Sequence, residues 1–278
     1  MTLFEKIRRA LAAVPEVFLA EGFWYLVLAG AAWLGFHVIF ARVLRQRRIV
    51  RETPTWRQMG WEVMYSLRSL LIFGIVGGLL VFAIASGWTQ MYFRIERYGW
   101  WWYGASIVLM IFIHDAYFYW THRLLHHPLL FRRMHRVHHL STSPSPWAAY
   151  SFSWSEAFVQ AGIAPLITFT IPNHPTAFGL FMLWQIGFNV MGHCGYEIFP
   201  RWFMRSGLGR FFNTLTHHVM HHESYSSNYG LYFNFWDRLL GTNHRHYAQR
   251  FAQVTGDAAT VVENGAECLA PTASTAKG

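Results

Sequence analysis

The chain has 278 residues, of which 53% are hydrophobic, 18% aromatic and only 13% charged, about half the charged share of an average soluble domain. That deficit argues against a water-soluble globule and for a chain that meets lipid. The formal charge of +9 is nearly all arginine and is read as cytoplasmic loops facing anionic headgroups, with no nucleic-acid partner.

Residues 1–16, MTLFEKIRRALAAVPE, interleave Leu3, Phe4 and Ile7 with Lys6, Arg8 and Arg9, which predicts a short amphipathic helix on a membrane surface. The run 19–41 is long enough for the twenty or so residues that a bilayer requires and lacks a cleavage site, so it reads as an uncleaved span. An arginine-rich loop follows, with Arg42, Arg45, Arg47, Arg48, Arg51 and Arg57. A second span is expected over 63–88, with Arg68 snorkelling near one end. A third is expected over 100–121, opening on the interfacial belt Trp100, Trp101 and Trp102. The arginine excess puts the first loop in the cytoplasm and returns the end of the third span, with His122, to that side. Lys6, Arg8 and Arg9 then fall on the far side.

Two shorter apolar stretches, 156–171 and 176–192, flank the turn IPNHPT and predict a helical hairpin that enters the membrane and returns. From about 252 the residues are small and polar, a composition expected to be disordered. The expectation is an all-α integral membrane bundle with a histidine-rich di-metal site on its cytoplasmic face. Residues 1–99 form its entry helices, 100–250 a catalytic domain and 251–278 a tail.

The chemistry lies in the histidines. All of the 16 except His37 fall between His114 and His246. His122 and His126 are spaced i, i+4; His135, His138 and His139 are spaced i, i+3, i+4, and His218, His221 and His222 repeat that pattern. On a helix such residues share a face, so each group is expected to aim its rings at one point. Imidazole ligates iron, zinc, copper and nickel, and one ion takes about four to six ligands. With His193 the set is more than one ion needs and suits two. A lone histidine is more often a satisfied polar group, and His37, His174, His244 and His246 are read so. The clusters are not, because unligated rings beside a membrane carry a large desolvation cost. His217 is an alternative to His218, which the spacing favours; His127 points off the His122–His126 face. Cys194 and Cys268 have neither the number nor the spacing of a disulfide framework or zinc ribbon and read as inert.

The motifs HRLLH, HRVHH and HHVMHH, followed by NYG and WDRLLGT, resemble the sterol desaturase and fatty acid hydroxylase superfamily, nearest its sterol C5-desaturase and C4-methyl oxidase side. The resemblance implies an O2-dependent oxidase with two iron ions that hydroxylates or desaturates a sterol-like or fatty acyl lipid. Carried over motif by motif, it implies nine metal ligands: His122, His126, His135, His138, His139, His193, His218, His221 and His222. No fused electron-carrier motif is present, so electrons are expected from a separate cytochrome b5-, ferredoxin- or reductase-like protein; Arg132, Arg133 and Arg136 suit its docking or, equally simply, lipid headgroups.

Carboxylate candidates follow from helix arithmetic. Asp115 lies seven residues before His122 and eleven before His126, within about 20° of both directions, and is expected either to line the substrate route or, equally, to be a buried aspartate paired with an Arg or Tyr. Glu197, four residues after His193, is expected to orient that ring or approach a metal, and Asn189, four before it, to bind a metal directly or through water. Asp237 is expected to pair with Arg238 or a loop arginine. Two rival readings are a zinc-dependent membrane hydrolase, for which no HExxH supplies the base, and a haem-bearing electron carrier, which would set its histidines singly in facing spans.

Overall fold

The computed structural model describes residues 1–50 and 52–256, and among these there are ten α-helical segments and no β-strand. The first is α1, Leu3–Ala32, prolonged by a π-helical stretch Trp33–Ile39. Its start is set by a capping box: the Thr2 hydroxyl accepts from the Glu5 N–H at 3.3 Å, and the Thr2 N–H donates to the Glu5 carboxylate at 2.8 Å. The separate surface helix expected over 1–16 is instead the first half of this element. The reason is α2, Trp56–Ala85, whose glycines let the two backbones touch. A Cβ on Gly74 would lie 2.7 Å from the Val14 carbonyl oxygen, and one on Gly78 2.7 Å from that of Ala10. Close packing of this kind joins helices where lipid offers no hydrophobic drive. Among the described residues two helices, Leu3–Ile39 and Trp56–Ala85, are long and apolar enough to cross a membrane.

Helix α3, Gly99–Leu125, delivers His122 to its C-terminal end. The chain then makes a short helix α4, Pro128–Leu130, a π-helical turn Phe131–His135 and a 3-10 turn His138–Leu140. The expected hairpin is present, but its first arm is broken into α5, Trp154–Ala161, and α6, Ile163–Thr170. Gly162 sits at the break because α3 presses on it: a Cβ there would meet the Tyr117 hydroxyl at 2.5 Å. The second arm is α7, Pro175–Gly192, started by Pro175 in its first turn. Tyr25, Leu70, Tyr150 and Ile186 form a buried core where α1, α2 and α7 meet, and Met110, Ile167 and Phe181 a second one among α3, α6 and α7.

Helices α8, Leu215–Ser224, α9, Phe235–Leu239, and α10, Tyr247–Thr255, complete the chain. Helix α10 buries Tyr247, Phe251, Ala252 and Val254, so the beginning of the expected tail is folded; residues 257–278 of that tail lie outside the described residues. The arginine-rich loop packs on the segment after α7. The Ile49 N–H donates to the Gly195 carbonyl at 2.9 Å, and the Arg47 guanidinium to that of Phe199 at 2.8 Å.

Candidate metal centre

The structure brings all nine candidate histidines together at the inner ends of α3 and α7, and divides them into two groups. His122, His126, His135, His139 and His221 form one; His138, His193, His218 and His222 form the other. The expectation that each motif points at one place is corrected. HRVHH gives His135 and His139 to the first group but His138 to the second, and the last motif gives His218 and His222 to the second but His221 to the first. On α8 angular spacing explains this, while HRVHH divides in the same order across its π-helical and 3-10 turns. At about 100° per residue, positions i and i+4 are about 40° apart, whereas i+3 and i+4 differ by about 100°. The odd residue therefore aims at the neighbouring group.

In the first group the Nε2 atom of His122 lies 3.1 Å from that of His135, and that of His139 lies 3.1 Å from those of His126, His135 and His221. In the second, His193 Nε2 is 3.1 Å from that of His218 and 3.4 Å from that of His138. The opposite nitrogens show what these contacts are. His122 Nδ1 is 2.9 Å from the Tyr229 carbonyl oxygen, His221 Nδ1 2.7 Å from that of Ser227, and His193 Nδ1 2.7 Å from that of Asn189. His135 Nδ1 is 2.6 Å from the Glu156 carboxylate. An oxygen acceptor requires Nδ1 to carry the proton, which leaves the inward Nε2 as a bare lone pair. Lone pairs of neutral rings facing each other at 3.1 Å do not hydrogen-bond; a cation between them satisfies both. The donor set therefore fits two metal ions. Burial first, and then repulsion between neighbouring rings, hold His135, His138, His139, His218, His221 and His222 well below the usual imidazole pKa, the neutral form that a ligand requires.

The surrounding carboxylates differ from the helix arithmetic. Asp115 is buried and holds a loop: its Oδ1 accepts the backbone N–H groups of Tyr232 at 2.8 Å and Phe233 at 3.0 Å. Glu197 turns away from His193. It accepts from the Thr216 N–H at 2.9 Å and hydroxyl at 2.6 Å, which ties down the start of α8; burial raises its pKa. Asn189 serves His193 through its backbone carbonyl, while its side-chain amide donates to Ala149 at 2.8 Å. Among the described residues Asp237 pairs with neither Arg238 nor a loop arginine. It takes the N–H groups of Tyr229 at 2.9 Å and Gly230 at 2.7 Å, with His217 Nε2 3.3 Å away. His217 thus faces Asp237 and not the metal groups. Burial is the largest single influence and opposes ionisation of Asp237, but the His217 contact together with the hydrogen bonds from Thr242 and Gly230 outweighs it and lowers the pKa. Cys194 is buried, its thiol pushed up to about 12 by that burial, which keeps it unreactive; Cys268 lies outside the described residues.

Sequence reasoning missed Glu156, 21 residues from its partner His135. The local signal there is that of a helix start, with the Ser153 hydroxyl accepting from the Glu156 N–H at 3.2 Å. It also missed the latch that sets the second motif. On α2, Glu62 accepts from the Ser141 hydroxyl at 2.8 Å and from that of Ser145, holding the chain after His139 against the bundle.

Above the metal groups lies an apolar cavity of about 390 Å³, walled by Phe73, Leu80, Ile84, Phe178 and Met182 and reaching Phe118, Phe152 and Asn189. Phe152 is 5.2 Å from the His138 ring and Phe118 4.9 Å from that of His122, between centroids, so the cavity floor adjoins both groups.

Residues 107–242 match the fatty acid hydroxylase family model, a span that holds all nine histidines. The chain is 30% identical over 216 residues to a Delta(7)-sterol 5(6)-desaturase of Gibberella zeae, covering 77% of this chain and 63% of that protein. It is 31% identical over 188 residues to the lathosterol oxidase of Rattus norvegicus, covering 66% and 61%. It is 27% identical over 221 residues to that of Homo sapiens, covering 78% and 71%. The chain thus spans less than two thirds of the length of the first two relatives. No solved structure matches it. With its motifs in order and this sequence similarity around them, the chain belongs to the sterol desaturase and fatty acid hydroxylase superfamily.

Proposed function

We propose that the protein is a multi-pass membrane oxidoreductase that binds two iron ions and uses O2 to hydroxylate or desaturate a sterol-like or fatty acyl lipid. The observation that carries this reading is the convergence of nine histidines, in groups of five and four, beneath an apolar cavity. The relatives named above are by their names sterol desaturases and oxidases. Iron, reduced by an outside donor, would supply the O2-derived oxidising power that no acid–base side chain has. The chain's own part is positional. Glu156 and the carbonyls of Asn189, Ser227 and Tyr229 fix ring tautomers and directions, and Phe118 and Phe152 form a dry floor that brings an aliphatic C–H bond to the metals.

The metal face is assigned to the cytoplasm because the loop with Arg42, Arg45, Arg47 and Arg48 packs beside it, consistent with the arginine bias of cytoplasmic loops. Exposed Arg132, Arg133 and Arg136 surround the turn that ends at His135 and offer a docking face to an acidic electron-donor protein. A zinc hydrolase is disfavoured because both ligand groups are all histidine and Glu156 stands behind a ring, not in the cavity. A haem carrier is disfavoured because Nε2 atoms 3.1 Å apart leave no room for a macrocycle between them. Metal analysis of the purified full chain tests the reading: two irons per chain and donor-dependent O2 uptake with lipid are expected. Zinc alone, or a Soret band, would sink it.

A further inference from the structure

Tyr225 ends α8 with φ +58°, in the left-handed region that glycine and asparagine favour and where a bulky side chain is an outlier. Asn228 is the other non-glycine residue with positive φ among the described residues, and its side chain suits that region. Tyrosine does not. Strained backbone of this kind clusters at functional sites, and the Tyr225 ring shows what is gained here. Its centroid lies 4.7 Å from that of His139, a member of the five-histidine group, and 5.9 Å from that of Phe131. Phe131 in turn lies 5.4 Å from His126 and 5.7 Å from His139. Tyr225 is also 37% exposed, so one side chain reaches from the surface to a ring of the metal centre.

The two metal groups differ in this respect. In the four-histidine group every residue is buried, and among the described residues the one non-histidine ring in contact with it is Phe152, on the cavity floor. The five-histidine group includes the partly buried His126 and is covered towards the surface by Tyr225 and Phe131. The same surface is cationic. Arg132 and Arg133 follow Phe131 directly and are exposed, as is Arg136, whose N–H donates to the Phe131 carbonyl at 2.8 Å. Glu223, two residues before Tyr225, lies 3.9 Å from the Arg250 guanidinium, so its charge is already met. Positive charge around an exposed aromatic pair favours an acidic protein partner and speeds its encounter. Electron-transfer complexes are of that weak, small-interface class.

From this we infer that Tyr225 is an entry port: electrons pass through its contact with His139 to the five-histidine group first, and reach the four-histidine group from there. The inference rests on the oxidase reading and deepens it by fixing where the donor docks and which ion it reduces first. In each transfer the donor, an acidic haem or iron–sulfur protein, loses one electron and one ferric ion gains it to become ferrous. No bond forms or breaks at Tyr225, and its phenol keeps its proton. His139 and His222, 4.8 Å apart between centroids, bring the two groups into ring contact for the second electron.

The test is anaerobic stopped-flow oxidation of reduced soluble cytochrome b5, an acidic one-electron haem carrier, by the full-length ferric protein without lipid substrate. Thermal midpoint, iron content and cytochrome affinity are measured alongside. Tyr225→Phe keeps the ring and is expected to accept electrons within twofold of the wild-type rate. Tyr225→Gly removes the ring and relieves the backbone. Its rate at saturating cytochrome is expected to fall at least tenfold, with iron content and affinity unchanged and a thermal midpoint no lower than that of the wild type. A tyrosine that only packs would give the reverse, a lower midpoint at an unchanged rate. Should the glycine variant not fold, Tyr225→Asn, which also accepts a left-handed backbone, serves in its place with the same expected rate. Arg132→Ser/Arg133→Ser is expected to weaken cytochrome binding at least tenfold at low salt. A ring-free variant within threefold of the wild-type rate overturns the port, as does unchanged affinity in the arginine variant. So does an iron-loaded wild type that binds the cytochrome and is not reduced by it. A wild type that carries no iron would instead overturn the oxidase reading, and the port with it.

Discussion

His135 Nδ1 lies 2.6 Å from the Glu156 carboxylate, and both side chains are shut off from solvent. The contact fixes the proton of His135 on its outer nitrogen and strengthens its inner one as a donor, the role carboxylates take behind metal-bound imidazoles.

Glu156→Ala is therefore expected to weaken metal binding by about 10- to 100-fold, with Glu156→Gln intermediate because its amide oxygen still accepts. A chelator titration followed by metal analysis reads this. Unchanged retention of iron in Glu156→Ala would show that the contact only packs.

The unequal groups predict unequal tolerance. His126→Ala leaves four ligands in a group of five, and His222→Ala leaves three in a group of four. The expected iron content is near two per chain for the first and near one for the second. The opposite order would mean that the division into groups is wrong.

Asp115 is expected to govern stability and not chemistry. Asp115→Ala leaves the buried N–H groups of Tyr232 and Phe233 without their acceptor, at about 1–3 kcal/mol for each. A lowered thermal midpoint is expected, with KM for lipid unchanged in the molecules that stay folded. A raised KM at unchanged midpoint would return Asp115 to the substrate route.

Gly230 is hemmed in: a Cβ there would lie 2.8 Å from Asp237 Oδ2 and 2.9 Å from Asn213 Nδ2. Gly230→Ala must displace Asp237, which holds the Tyr229 N–H, while the Tyr229 carbonyl orients His122. The expected result is loss of iron along with stability, measured by metal content and thermal midpoint together. A midpoint drop with two irons still bound would uncouple the loop from the metal group.

The sequence by itself determined what depends on neighbours along the chain. Long apolar runs specify helices that suit lipid, His122 and His126 share a face because they are four residues apart, and the ordered histidine motifs identify the superfamily. Even the hairpin was legible from IPNHPT between its apolar arms. Only the tertiary structure decided the rest, because it depends on residues far apart in sequence. HRVHH and the last motif each serve both metal groups because α8 and the 3-10 turn at His138 face each other across the site. Glu156 reaches His135 only once α5 packs against the π-helical turn Phe131–His135. Asp115 has the helical face that arithmetic assigns it, yet a loop 117 residues away supplies the N–H groups it holds. Helix periodicity gives a side chain its direction; which atoms stand in that direction is settled when separate helices pack and their buried polar groups must find partners.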